Sequence, residues 1–187
     1  MKKSNDLRLI RPAYFFLLLF VGISLVGCAG KKTMITSNGL HGIKLGDQLP
    51  AVGTESLKGV SLRDTLLEDK DYTWRAALME YTDGLVYLEE DFSRGETLNR
   101  IRVETPELKL KNGLRVGKTV GDLQKIKGEW YINPLTDFEV FDFYTRLMPN
   151  IHFLVADAKT DMSDPDWKNY KMDMFDPEAQ IVAIVIF

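Results

Sequence analysis

Apolar and polar residues alternate along several stretches of this chain, with the period of a half-buried strand. Within residues 97–105, Ile101 and Val103 fall on one side, and Arg100 and Arg102 fall on the other. This alternation is typical of an antiparallel sheet that packs on one face and is wet on the other. The same reasoning predicts strands at residues 72–81, 85–92, 97–105, 129–132, 138–144, 151–156 and 181–187. The last of these is apolar on both faces, which predicts a central position in the sheet.

A short helix is predicted where the apolar spacing changes to that of one helix face. Val120 and Leu123 fall at helical spacing, after a Thr119–Asp122 pair that resembles a capping box. Asp47 gives a second, weaker signal for the start of a helix. Sheet-forming segments combined with short helices predict an α+β fold, an antiparallel sheet packed against short helices.

A five-residue pattern occurs twice. Residues 42–46 read Gly-Ile-Lys-Leu-Gly and residues 113–117 read Gly-Leu-Arg-Val-Gly, a spacing of 113 − 42 = 71 residues. The segments that follow also match, residues 150–154 on 84–88 at an offset of 66 and residues 181–186 on 98–103 at an offset of 83. We therefore predict a domain built from two similar helix–meander halves.

The N-terminal segment has a different character. Residues 1–11 are basic, and residues 13–26 form an apolar run that is shorter than the roughly 20 residues of a membrane-spanning helix. This is the pattern of a secretory signal peptide, here residues 1–27. The segment ends in Leu25-Val26-Gly27-Cys28, which resembles the lipobox of bacterial lipoproteins. The resemblance implies cleavage between Gly27 and Cys28 and a diacylglycerol on the Cys28 sulfur. The alternative is an uncleaved membrane anchor with an incidental cysteine.

Lipidation would make the membrane a partner, because several acyl chains together anchor a protein durably. Ala29 follows the cysteine, and the lipoprotein resemblance then implies the outer membrane rather than the inner one. Residues 28–38 are small and polar and are predicted to form a tether. Residues 39–187 are predicted to be a single domain of two repeats, about 39–105 and 109–187.

The glycine pattern, followed by threonine and a short helix, resembles a pattern of bacterial envelope lipoproteins. The helix–meander unit in tandem is similar to the β-lactamase-inhibitor-protein-like fold and to the small lipoprotein of the outer-membrane β-barrel assembly machinery. That resemblance implies a role in protein–protein contact, through the sheet or its loops. It covers most of residues 39–187, but only structural glycines match, so no binding residue carries over.

The charge of the chain argues against nucleic acid as a partner. Without residues 1–27, the chain keeps 24 − 4 = 20 cations and 27 − 1 = 26 anions, a net charge of −6. Phosphate contacts need clustered Lys and Arg. The acidity fits solubility better than it fits any specific partner.

We find no catalytic motif and predict no enzyme and no cofactor. The sequence contains no nucleophile elbow, no phosphate-binding glycine loop and no zinc-protease motif. With one cysteine, Cys28, and two distant histidines, His41 and His152, a zinc site is not expected. Each histidine is interpreted as a surface or cross-strand residue, and the aromatic residues Phe138, Phe141, Phe143, Tyr144 and Phe153 as core.

The best candidate for a site is the acidic connection of residues 157–178, because long loops inside compact domains are often functional. Its carboxylates could hold calcium, its aromatic residues could anchor a partner, or the loop could simply be solvated. The candidate residues are Asp157, Asp161, Asp164, Asp166, Trp167, Asp173 and Asp176, and Tyr170 and Phe175 are further aromatic candidates.

The leading functional hypothesis is a non-enzymatic cell-envelope lipoprotein that acts as a protein-interaction or assembly module. The alternative is a periplasmic module that binds a small ligand or a cation through the acidic loop. A hydrolase with two acid–base carboxylates is the third hypothesis, and it has no specific support. An exposed apolar patch would favour the first, converging loop carboxylates the second, and a cleft with paired carboxylates the third.

Overall fold

The computed structural model describes residues 34–50, 60–69, 72–91, 95, 97–162 and 170–187. The predicted signal peptide and Cys28 lie outside these residues. The predicted tether reaches into the folded domain, because Met34–Thr36 is already a strand and Ile35 is 2% exposed. This strand pairs with two neighbours and buries Ile35, while Met34 beside it is 48% exposed.

The described residues form twelve strands and one α-helix. The strands are β1 Met34–Thr36, β2 Gly39–Leu40, β3 Ile43–Lys44, β4 Ser61–Asp69, β5 Tyr72–Tyr81, β6 Gly84–Glu90, β7 Leu98–Val103, β8 Lys109–Leu110, β9 Trp130–Leu135, β10 Val140–Thr145, β11 Ile151–Ala156 and β12 Gln180–Ile186. The helix, α1, is Val120–Leu123, and Thr136–Phe138 and Met172–Met174 are 3₁₀ turns.

The described strands form two sheets. Eight strands pair in the order β4-β5-β6-β7-β12-β11-β10-β9, and every pair is antiparallel. The four short strands pair in the order β3-β2-β1-β8. The central position predicted for residues 181–187 is confirmed, since β12 lies between β7 and β11.

The predicted α+β class is wrong. The fold is mostly β: among the residues that the structure describes, 53% are in strands and the one α-helix is shorter than seven residues. The capping box of Thr119 and Asp122 is present, but α1 ends after Leu123. The expected N-cap Asp47 instead closes a turn, where its Oδ2 accepts a hydrogen bond from the Lys44 N–H at 2.8 Å. In the described residues, neither of these N-cap signals is followed by a helix long enough to cover the sheet.

The core lies on one face of the eight-stranded sheet. The four-stranded sheet and α1 cover this face, with Ile35, Leu40, Val120 and Leu123 in the same buried cluster. Side chains on alternate positions of the long strands fill it, including Met79, Leu88, Ile101, Val103, Phe141, Phe143, Phe153, Ile184 and Ile186. Burial of these positions follows the alternation read from the sequence.

The two five-residue patterns form the same corner. The Gly46 N–H donates to the Leu98 carbonyl at 2.8 Å, and the Gly117 N–H donates to the Ile181 carbonyl at 2.8 Å. Each corner also accepts a hydrogen bond back from Leu98 or Ile181, at 2.8 and 2.7 Å. Gly46 and Gly117 have φ of +85° and +81°, which glycine adopts without strain. This likeness supports a duplication, which stays a prediction.

Candidate binding groove

The face of the eight-stranded sheet that points away from the core, here called the outer face, carries a continuous row of side chains. The strand registers pair Tyr87 with Arg102, Arg102 with Val185, Val185 with His152, and His152 with Tyr144. Neighbouring strands lie about 4.8 Å apart. Five side chains from five consecutive strands therefore stand next to one another.

A cavity of ≈ 420 Å³, here called the groove, opens on this face. Leu67 and Trp74 line it from the β4 edge of the sheet, and Leu135 and Phe138 line it from the β9 edge. Because opposite edges border one cavity, the sheet must curl around it. The complete lining consists of Leu67, Glu68, Trp74, Arg100, Arg102, Leu135, Phe138, Asp142, His152, Leu154, Val185 and Phe187.

A buried carboxylate lies behind one end of the groove. Glu89 is 1% exposed, and its Oε2 accepts hydrogen bonds from Trp74 Nε1 at 2.9 Å and from Arg100 Nε at 3.1 Å. Arg100 Nη2 donates to the same oxygen. A charged carboxylate is buried at large cost unless it is paired and hydrogen-bonded. Glu89 therefore fixes the directions of Trp74 and Arg100, which both line the groove.

Arg102 is held less tightly than Arg100. Its Nε lies 3.5 Å from Glu89 Oε1, and neither of these buried atoms makes a hydrogen bond within the described part of the chain. Its Nη1 lies 3.3 Å from Glu104, and its Cζ lies 4.0 Å from the centre of the Tyr87 ring. Burial raises the pKa of Tyr87 above its ordinary value. The Arg102 guanidinium is thus stacked in place and has hydrogen-bonding capacity to spare.

An acid–imidazole pair lies on the opposite wall. His152 Nδ1 lies 2.9 Å from each carboxylate oxygen of Asp142. The His152 ring stacks on Tyr144, with ring centres 4.7 Å apart, and meets the edge of Phe187 at 4.8 Å. These contacts fix the ring plane. A carboxylate on Nδ1 leaves Nε2 as the atom of this ring that can meet a ligand.

Apolar side chains make up the rest of the lining. Phe138 is 64% exposed and Phe187 is 48% exposed, high values for phenylalanine. Leu135 and Leu154 also line the groove and are half-buried. A concave, mainly apolar wall with a few fixed polar groups is the usual character of a small-molecule site, and ≈ 420 Å³ falls in the usual size range.

The polar groups of the lining include a carboxylate–imidazole pair and two guanidiniums. Asp142 and His152 have the geometry of a base with its orienting group. None of the described lining residues is Ser, Thr, Cys or Lys, so the lining gives this pair no usual nucleophile to activate. Two guanidiniums and one imidazole edge can instead orient a ligand by charge and hydrogen bonding.

The acidic loop, by contrast, uses its described carboxylates to hold itself together. Asp157 is 6% exposed and accepts hydrogen bonds from the Lys159 N–H, the Thr160 hydroxyl and the Asp176 N–H, at 2.9, 2.8 and 3.1 Å. Asp176 pairs with the Lys159 ammonium. In the described stretches, no group of three or more His, Cys, Asp or Glu is placed to hold a metal. Asp164, Asp166 and Trp167 lie outside them.

The other described candidates of the loop are either buried in the core or exposed on the surface. Tyr170 and Phe175 are 7% and 3% exposed and pack on Phe141, with ring centres 5.3 and 4.8 Å away. They are core residues rather than partner anchors. Asp161 and Asp173 are exposed, and the Asp161 carbonyl accepts a hydrogen bond from the Tyr170 hydroxyl at 2.6 Å. The described part of the loop therefore packs on the core through Tyr170 and Phe175.

His41 does not line the groove, and its Nε2 lies 2.6 Å from the Tyr81 hydroxyl. Burial raises the pKa of Tyr81 to about 12, and the nearby Glu107 carboxylate adds to this effect.

The predicted core aromatic residues divide between the two faces of the sheet. Phe141, Phe143 and Phe153 are core residues, as predicted. Phe138 and Tyr144 are not, because Phe138 is exposed and Tyr144 stands on the outer face.

The sequence reasoning missed most of the groove. Trp74, Glu89, Arg100, Arg102 and Asp142 occupy outward positions of predicted strands, where charged residues are ordinary. The available signal was their number on consecutive strands, with an aromatic residue among them. Their burial depends on the curl of the sheet, which the alternation does not reveal.

Comparison with known proteins identifies the fold and no family. No family model matches the chain, and no curated protein matches it significantly. The crystal structure of the uncharacterized protein yfeY from Escherichia coli is similar, with a TM-score of 0.58 at 13% identity, over 82% of this chain and 99% of that one. The chain therefore shares the β-rich fold of that protein. At this identity the likeness concerns the fold alone.

Among the described residues, no helix has the length and apolar character needed to cross a bilayer.

Proposed function

We propose that this chain is a non-catalytic binding lipoprotein of the bacterial cell envelope, anchored through Cys28, that holds a small molecule in the groove. The site is the groove rather than the acidic loop. The anchoring part of the proposal is supported by the signal-peptide pattern and by the lipobox-like residues that end at Cys28.

One observation carries the binding part of the proposal. On the outer face of the sheet, polar side chains that are held in fixed directions line a mainly apolar cavity. Glu89 is buried and directs Trp74 and Arg100. On the other wall, Asp142 directs His152. Side chains whose geometry is held by second partners are typical of binding sites.

A groove-filling substitution tests the binding part. The lipidated full chain is purified from its envelope into phosphatidylcholine nanodiscs and examined by native mass spectrometry. Leu154→Trp places a large ring in the groove, and Leu147→Trp places one on an exposed turn. We expect a small molecule of constant mass on the wild type and on L147W, and none on L154W. No adduct on the wild type, or equal adducts on all three, would contradict the proposal.

A separate experiment tests the anchor. Cys28→Ala removes the thiol that lipidation requires, so the chain should move from the membrane fraction to the soluble periplasmic fraction. Cell fractionation with immunoblotting measures this, and Ser37→Ala, a change in an exposed residue near the domain boundary, is the control. Full membrane retention of C28A would contradict the lipid anchor and leave the binding proposal standing.

A further inference from the structure

The polar groups of the groove are mainly donors, and they lie together. Arg100 uses Nε and Nη2 on Glu89, and Arg102 uses Nε and Nη1 in ion pairs. Arg100 Nη1 and Arg102 Nη2 have no partner among the residues that the structure describes. The side chains are 36% and 30% exposed, so these donors can meet a ligand. A carboxylate or phosphate is the group that guanidinium donors prefer.

A third polar side chain, His152, lines the same space. Arg102 and His152 stand on either side of Val185 in the cross-strand row. Their Cα atoms are thus two strand spacings apart, roughly 10 Å. Arg102, Val185 and His152 all line the groove. With Nδ1 held by Asp142, Nε2 is the nitrogen of the His152 ring that is left for a ligand.

The carboxylates around the groove leave this end available to an anion. Glu89 lies under the arginines and is not part of the lining. Glu104 contacts Arg102 from outside the lining. Asp142 lines the groove but is engaged by His152, and Glu68 is exposed on the edge strand β4. The position over Val185 therefore has guanidinium donors on one side and an imidazole on the other.

We infer that the groove takes a small amphipathic anion. Its carboxylate or phosphate group lies over Val185, between Arg102 and His152. Its apolar body lies along the wall formed by Leu135 and Phe138, whose exposed surface it covers. This inference rests on the proposed function and adds the chemical class of the ligand and its orientation.

Four probes of equal chain length test the inference: octanoate, octyl phosphate, 1-octanol and octyltrimethylammonium. Binding to the lipidated full chain in phosphatidylcholine nanodiscs is measured by calorimetry, with protein-free nanodiscs as the blank. We expect at least one anion to bind roughly ten- to a hundredfold more tightly than 1-octanol, the worth of a charged hydrogen bond. A preference for octanoate would indicate a free carboxylic acid, and a preference for octyl phosphate would indicate a lipid phosphate.

Matched variants locate the head group. Arg102→Gln should reduce anion affinity at least tenfold and leave 1-octanol binding unchanged. Arg63→Gln is the control, since Arg63 is an arginine of the outer face that does not line the groove, with a side chain 63% exposed. Circular dichroism confirms that each variant is folded. Equal losses in both variants would overturn the assignment of the head group.

The two proposals fail differently. If 1-octanol or the cation binds as tightly as the anions, the ligand class is wrong and the groove remains a binding site. If no probe binds and L154W leaves the mass spectrum of the purified protein unchanged, both proposals are wrong.

Discussion

The two halves of the domain, residues 39–105 and 109–187, share a backbone plan and differ in what they carry on it. Each supplies four consecutive antiparallel strands, and the halves meet at β7 and β12. Each has a register shift in the pair formed by its third and fourth strands, next to Glu89 in the first half and next to Leu154 in the second. The glycine corners make corresponding hydrogen bonds. The plan is thus fixed mainly by backbone groups.

Side chains at corresponding positions differ most on the outer face. Following the registers outward from Ile101 and Ile184, Glu89 corresponds to Leu154, Arg100 to Ala183 and Asp142 to Ala76. Each half has charges where the other has apolar residues. The two charged pairs consequently end at different walls of one groove. Outward positions contribute little to the core, so they are free to acquire binding chemistry.

The inner faces differ as well, and this gives the largest expected effect. Phe143 is fully buried in the second half, and its counterpart in the first half is Ala77. Phe143→Ala should lower the free energy of unfolding by about 3–5 kcal/mol, because it leaves a cavity that the core cannot refill. Urea denaturation measures this. Phe138→Ala, at a 64% exposed position, should cost less than about 0.5 kcal/mol. A small loss in F143A would show that the halves contribute alike.

A smaller effect is expected where the first half carries its buried charge. Glu89→Leu leaves Arg100 and Arg102 without their carboxylate and should cost about 1–3 kcal/mol, a value limited by the partial exposure of both guanidiniums. Adding Arg100→Ala reproduces the Leu154 and Ala183 of the second half. The double variant should therefore recover stability relative to E89L, with a coupling energy of about 1 kcal/mol or more in a double-mutant cycle. Additive losses would contradict this account of the pair.

The structure also shows which of the predicted strands and helices are present. The strands at residues 72–81, 85–92, 97–105 and 151–156 were predicted to within a few residues, because inward and outward positions alternate there. β4 was missed, since Leu66 and Leu67 are adjacent and Leu66 is 66% exposed, which blurs the alternation. The helix predicted after Thr119 is present but covers only Val120–Leu123. A cap signals where a helix begins and not that tertiary packing will extend it.

The predicted repeat offset of 66 for residues 84–88 was wrong by one. It pairs Val86 with His152, although Val86 is a core residue and His152 is on the outer face. The registers pair Val86 with Val103 and Ile151 with Ile186, which gives 151 − 86 = 65. A one-residue slip exchanges the faces of a strand. With the wrong offset, His152 is assigned to the core face, so its place in the groove could not be recognised from the sequence. The curl of the sheet could not be predicted either, because it depends on pairings far apart in sequence.

The corners should respond equally in both halves. An added Cβ at Gly46 or Gly117 would meet no atom within 4 Å, so the cost of alanine is the left-handed backbone alone. Gly46→Ala and Gly117→Ala should each lower the free energy of unfolding by about 1–2 kcal/mol. Thermal denaturation of the two variants side by side measures this. A difference between them of more than about 1 kcal/mol would show that the corners are not equivalent.

The smallest effect concerns the connections that close each meander. The first half joins β6 to β7 with backbone hydrogen bonds from Asp91 to Thr97 and from Gly95 to Asp91, whereas the second half relies on the Asp157 carboxylate. Burial by itself raises the pKa of Asp157, but the hydrogen bonds from Lys159, Thr160 and Asp176 outweigh it and hold that pKa below its usual value.

A carboxyl group whose pKa is lower in the folded chain than in the unfolded chain stabilises the fold above the unfolded pKa of about 3.9. That contribution is lost as the pH falls through the folded pKa. Asp157→Asn should therefore lose about 1 kcal/mol at pH 7, the net value of a hydrogen bond, and the gap to the wild type should narrow below pH 4. Asp173→Asn, at an exposed site in the same loop, is the control. Urea denaturation at pH 7 and pH 3 measures both. A gap that stays constant would mean that the Asp157 charge has no part in closing the loop.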